Sequence, residues 1–197
     1  MNCISKPAKD SERAINSLLA VVQLLEEPQL ARLYTFVLHE EEVTIDDVVD
    51  SLEMPRTTAY SDTGALVELG VLTRDEEQKT DTFSAVPVTL TVNLDGDECT
   101  VTPTLIEAFG RPPQDQNLDL LLKQHGPGKL AAALTYAVPY AEAVLSERVA
   151  TQELNLQHAF AIAVLQALRE AVLKIKPVDP YFEQIPNPCE RPPEDEE

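Results

Sequence analysis

Tryptophan is absent from this 197-residue chain, glycine appears only six times, and 15 basic residues face 34 acidic ones. Each shortage excludes something. No apolar run approaches the roughly 18 to 20 residues of a membrane span. Residues 1–11 hold Lys6 and Lys9 but lack the apolar stretch and cleavage site of a secretory signal. A cytoplasmic location is expected. Cys3, Cys99 and Cys189 are odd in number and far apart, which suits neither a disulfide framework nor a zinc site. There is no P-loop, dinucleotide glycine pattern, nucleophile elbow or His-Glu-x-x-His. The chain is therefore expected to be no enzyme, with no catalytic residue, no cofactor and no metal. His39 beside Glu40, Glu41 and Glu42 reads as a helix end before a solvated acidic turn. His125 beside Gly126-Pro127-Gly128 reads as a helix terminus, where its charge suits the dipole, and His158 has no carboxylate partner that spacing assigns.

What the chain has in excess is negative charge. The net −19 is spread from Asp10 to Glu197, and only seven residues are lysine. Dispersed carboxylates with few long ammonium stems suit a protein kept hydrated in molar salt. There the Debye length is only ~3 Å and self-repulsion is largely screened. A halophilic, acidic protein is expected.

Periodicity sets out a mainly α chain with small β wings. Residues 1–10 are expected to be disordered and 186–197, with four prolines and an acidic end, to be a solvated tail. A helix over 11–26 carries Ile15, Leu18, Leu19, Val22 and Leu25 at spacings of three and four. Pro28 opens a second helix with an inner stripe of Leu30, Leu33, Tyr34, Val37 and Leu38. Thr44 caps a short helix over 45–53, a tight connection leads to a longer helix over 55–69, and Gly70 stops it. Val71 to Thr73 starts a strand, 74–82 is polar turn, and 83–92 reads as the returning strand. Residues 88–94 and 98–102 alternate around Asp95-Gly96-Asp97 as a further hairpin. The expected division is a winged helix-turn-helix domain over 11–94, then a hairpin return, short helix (103–109) and linker over 95–116. A helical, helix-turn-helix-like domain over 117–185 follows, broken at Gly126-Pro127-Gly128 and near Pro139.

A weak internal repeat runs through these elements. At an offset of 100, Leu30, Ala31, Thr35, Phe36 and Leu38 meet Leu130, Ala131, Thr135, Tyr136 and Val138. At 102, Val43, Leu52, Met54, Ala59, Leu66 and Glu68 meet Leu145, Leu154, Leu156, Ala161, Leu168 and Glu170. Duplication and shared packing of two similar units both account for it.

On the helix that follows Pro55, Ala59, Thr63, Leu66 and Val67 share one face, while Thr57, Tyr60, Ser61, Gly64 and Glu68 share the other. The first face should pack and the second stay free. Arg56, Thr57, Thr58, Tyr60 and Ser61 concentrate hydrogen-bonding groups at the N-terminal end, the end a recognition helix presents to base edges and phosphates. This segment, with Leu-Val-Glu-Leu-Gly-Val-Leu-Thr-Arg (residues 66–74) leading into a wing, resembles the winged helix-turn-helix regulators common in halophilic archaea. The resemblance implies binding of double-stranded DNA by the helix that starts near Arg56 and by the wing, with Arg74 and Lys79. The sequence departs from that pattern in its charge. Residues 44–82 hold three basic and ten acidic side chains, a poor phosphate-binding surface. Two readings therefore stand: a sequence-specific DNA-binding transcription regulator, and a winged-helix module that binds another protein. A homodimer is expected, since one winged helix reads only a short half-site. Ile15, Leu18, Leu19, Val22 and Leu25 are its expected dimerisation stripe. The helix over 159–172, apolar nearly all round, is expected to be buried.

Overall fold

The computed structural model describes residues 6–75, 80–94 and 97–184. Helix α1 (Lys6–Glu26) starts five residues before the expected position, so residues 6–10 are helical. Pro7 is tolerated in a first turn, and Ala8 and Lys9 are good helix formers. The inner face of α1 is Ala20, Val21 and Leu24. Leu25, also in the expected dimerisation stripe, lies one turn on from Val21 and is half-buried against the core. Ile15, Leu18, Leu19 and Val22 remain exposed on the opposite side.

Helix α2 (Pro28–Glu40) opens with proline in its first turn and buries all five residues of its expected stripe. Strand β1 (Val43–Thr44) leads into α3 (Ile45–Leu52), whose N-terminus is closed by a reciprocal capping box between Thr44 and Asp47. Those hydrogen bonds, first from the Thr44 hydroxyl and then from its N–H, hold the Asp47 carboxyl below its ordinary pKa. A tight turn with Glu53 in the left-handed region leads to α4 (Arg56–Glu68). Gly70, at φ +76°, then ends the helical path.

Strands β2 (Leu72–Asp75) and β3 (Thr82–Ala85) pair antiparallel, Leu72 with Ala85 and Asp75 with Thr82. With β1 they form a sheet in the order β1-β3-β2. The return is not the single strand expected over 83–92. It breaks at Pro87, which has no N–H for a ladder. The buried Tyr34 hydroxyl closes the gap, donating to the Val86 carbonyl at 3.1 Å and accepting from the Val88 N–H at 3.0 Å. Burial pushes its pKa well up, so it stays a neutral donor. A separate two-stranded sheet follows, β4 (Leu90–Leu94) paired with β5 (Asp97–Val101).

Helix α5 (Pro103–Gly110) is buried along its whole length, so the expected short connecting helix is a core element. Thr102 caps its N-terminus, and the buried Asp179 carboxylate accepts from both the Thr104 N–H (2.9 Å) and its hydroxyl (2.6 Å). At its other end, a Cβ on Gly110 would lie 3.0 Å from Arg32 Cγ and 3.3 Å from Ala31 Cβ. The absence of a side chain lets α5 lie against α2.

The last part is helical: α6 (Gln116–His125), α7 (Pro127–Ala141), α8 (Glu147–Glu153) and α9 (His158–Ile175), then a 3-10 turn (Lys176–Val178) and α10 (Pro180–Gln184). α7 continues two residues beyond Pro139 instead of breaking there, since a proline near the last turn interrupts little. The buried side chains make one continuous core from Ala20 to Val172 that joins both halves of the chain. Its polar centre is Glu107 of α5. Thr35 donates to Glu107 at 2.6 Å, and Arg111 and Lys174 lie 3.1 Å and 3.3 Å from it. Burial alone would push the Glu107 pKa up, but Lys174, Thr35 and Arg111 outweigh that and hold it below the ordinary value. The fold is mainly α with small antiparallel sheets, and no helix among the described residues is long and apolar enough to cross a membrane.

Local backbone recurs at the 102-residue offset. α3 and α4 start at residues 45 and 56, and α8 and α9 at 147 and 158. Among the described residues the non-glycine positions with positive φ are Glu41, Glu53, Ala143 and Asn155, two pairs at the same offset. Such backbone is uncommon without glycine, so its recurrence is a stronger sign of a repeated unit than matched apolar residues.

Candidate nucleic-acid interface

α4 is amphipathic in a way set by its register. Ala59, Thr63 and Leu66 are buried and Val67 is half-buried, while Thr57, Tyr60, Ser61, Gly64 and Glu68 are exposed. Tyr60 leaves 53% of its surface in solvent, a large amphipathic side chain at the centre of the free face. Thr58 is half-buried, which sets it apart from Arg56, Thr57, Tyr60 and Ser61. One helical position separates it from the buried Ala59.

Arg56 stands at the first turn of α4 with its guanidinium 5.9 Å from the centre of the Tyr60 ring. Its Nη1 atom is 2.6 Å from Asp46 Oδ1, in the first turn of α3. Arg74 on β2 is likewise 2.5 Å from Asp81, across the β2–β3 hairpin. Both arginines expected to meet phosphate are thus engaged by carboxylates of the same chain. Lys79 lies outside the described residues. The structure gathers Asp46, Arg56, Tyr60, Thr80 and Asp81 around a shallow pocket of ≈240 Å³ between α4 and the base of the hairpin. Sequence reading missed Asp46 and Asp81 as partners. The usable signal was their placement, Asp46 in the first turn of the helix before α4 and Asp81 diagonal to Arg74 across a short hairpin, two residues before its strand partner Phe83.

Arg56 and Asp46 are both more than half exposed, so their pairing is a surface salt bridge, of a kind worth little and weakened by salt. What this surface can offer a partner is a row of hydroxyls, an exposed tyrosine and an arginine whose present partner is easily exchanged. It also offers many carboxylates. Elsewhere, His39 Nδ1 lies 3.1 Å from its neighbour Glu40. Among the described residues no group of three or more His, Cys, Asp or Glu side chains could hold a metal ion.

The equivalent helix of the second unit is built differently. α9 buries Ala161, Val164, Leu165, Ala167, Leu168, Ala171, Val172 and Ile175, and Phe160 and Ile162 are half-buried where α4 has Thr58 and Tyr60. Residues 112–177, which include α9, match the model of DUF7437, a family of unknown function. No curated protein and no solved structure matches the chain.

Proposed function

We propose that α2, α3, α4 and the β1-β3-β2 sheet act as a winged helix-turn-helix that binds double-stranded DNA in a salt-adapted cell, and that the protein is a transcription regulator. The carrying observation is the free face of α4, where Thr57, Tyr60 and Ser61 are exposed beside a short antiparallel hairpin. A helix of this kind presents its N-terminal residues to the major groove. In molar salt the phosphate contribution is weak for every protein, so specific binding rests on hydrogen bonds and apolar contacts to bases. The hydroxyls and the tyrosine are suited to that. The same salt loosens the exposed Arg56–Asp46 pair and makes Arg56 available.

The test is selection of bound duplexes from a random pool by the whole protein in molar KCl. A single enriched motif is the expected result, and Arg56→Ala should weaken binding to it by roughly tenfold or more while circular dichroism stays unchanged. A pool without enrichment defeats the proposal. A second reading, binding of another protein through the same face, draws on Asp46 and Asp81, which pair with Arg56 and Arg74.

Assembly belongs to the same proposal. Ile15, Leu18, Leu19 and Val22 are 42–56% exposed along one side of α1, an apolar stripe that a second copy of the helix would cover. Leu18→Glu with Val22→Glu should give a folded monomer with poor DNA binding. Light scattering in high salt checks this: a monomeric wild type removes the dimer, and a dimeric double mutant moves the contact elsewhere.

A further inference from the structure

A second concavity lies on another part of the molecule, where β5, the start of α5, α7 and α10 meet. It encloses ≈500 Å³, within the usual range for a small-molecule site. None of the thirteen described residues around it carries a charged side chain, in a chain of which 25% is charged. Its lining mixes apolar side chains, among them Leu134, Val138, Pro139 and Phe182, with the hydroxyls of Thr100, Thr102 and Thr135, the last on the same helix as Leu134 and Val138. These hydroxyls are already placed by the fold. Thr135 donates to the Ala131 carbonyl, Thr102 accepts from the Leu105 N–H, and Thr100 pairs with Thr91. Thr135 therefore keeps only acceptor capacity toward a guest.

We infer that this cavity binds a neutral, largely apolar small molecule that carries a hydrogen-bond donor. A charged guest would lose its hydration and find no counter-ion on the lining. A neutral one gains apolar contact from α7 and α10 and meets the Thr135 acceptor on α7, while Thr102, which accepts from the Leu105 N–H, keeps its own hydroxyl proton to donate. The walls come from both halves of the chain, so an occupied cavity ties the β4–β5 hairpin and α5 to α7. This inference does not depend on DNA binding.

The probe is N-phenylnaphthylamine, a neutral aromatic amine with one N–H, added to the whole protein in molar KCl. Its anionic relative anilinonaphthalenesulfonate is the comparison. In that salt the long-range repulsion from the net −19 is screened, so the two probes report the lining itself. The neutral probe should bind at one site per chain, raise the unfolding temperature, and outbind the anion by roughly tenfold or more. Ala132→Trp places an indole from an exposed helical position into the cavity; it should abolish probe binding and leave circular dichroism unchanged. With Cys3 and Cys189 replaced by serine, the probe should also slow maleimide labelling of Cys99, which is exposed on the cavity lining. Equal binding of the anion overturns the inference, as does neutral binding that survives Ala132→Trp or disappears with the α1 double mutant. Binding that begins only when residues 185–197 are removed makes the chain's own C-terminus the occupant and overturns it too.

Discussion

α4 and α9 hold equivalent places in two units whose helix starts and positive-φ turns recur 102 residues apart. α4 buries three residues and leaves a polar face in water, whereas α9 buries eight and packs against α5, α6, α7 and α8. Similar backbone thus serves two ends. A helix with one narrow apolar stripe can be held by its neighbours and still meet a partner, while one apolar around most of its circumference has to be enclosed. The additional buried positions of α9 are Val164 against Asp62, Ala167 against Ala65, and Ala171, Val172 and Ile175, which lie beyond the point equivalent to the end of α4, while Ile162 is half-buried where Tyr60 is exposed.

The comparison breaks most visibly if the two units are independent. Leu66 and Leu168 are equivalent and fully buried, and alanine at either should cost about 3 kcal/mol. Because the core is continuous, each variant should still unfold in one transition, with fluorescence and circular dichroism coinciding in a denaturant series in high salt. Two separated transitions would make the units separate domains.

A smaller effect is expected where the halves are joined. Glu107→Gln keeps the volume and removes the charge that faces Arg111 and Lys174, and should destabilise by about 2 kcal/mol. The folded-state pKa of Glu107 is depressed, so its contribution is present above the ordinary value of 4.5 and is lost as pH falls below it. The variant should lack that part of the acid sensitivity, and chemical denaturation at pH 7 and at pH 3 measures the difference. Equal acid sensitivity in the two proteins would remove Glu107 as the joint.

The smallest effect sharpens the contrast at one position. Thr63 Oγ1 is buried without a hydrogen-bond partner among the described residues, where the second unit has Leu165. Thr63→Val removes an unsatisfied hydroxyl at little change of shape and should stabilise by about 1 kcal/mol. A loss of stability would mean that this hydroxyl has a partner, such as a buried water.

Local chemistry was legible in the sequence wherever a neighbour within one or two turns decided the structure. The Thr44 cap, the Gly70 stop and both faces of α4 follow from spacing alone. The exposed stripe of α1 was visible too, apart from Leu25, because the side of a helix that packs depends on where the next helix turns back. The role of α5 could not be read that way. Thr35 lies 72 residues from Glu107 and Lys174 lies 67 residues from it, and no local rule joins them. The trace it left is a single carboxylate in the apolar run Leu105-Ile-Glu-Ala-Phe109. In the same way Pro87 marked the break after β3, but only the structure shows Tyr34 satisfying both sides of it.

The placement of the ion pairs divides the molecule's response to its solvent. Arg56–Asp46 and Arg74–Asp81 lie at the surface, where mobile ions compete for each charge, while Glu107 is 4% exposed and largely out of their reach. Rising salt therefore works as a selective solvent for the exterior: it weakens the Arg56–Asp46 and Arg74–Asp81 pairs and leaves the joint between the two units fastened. A change of ionic strength would in this way loosen the outer face without altering the frame that carries it.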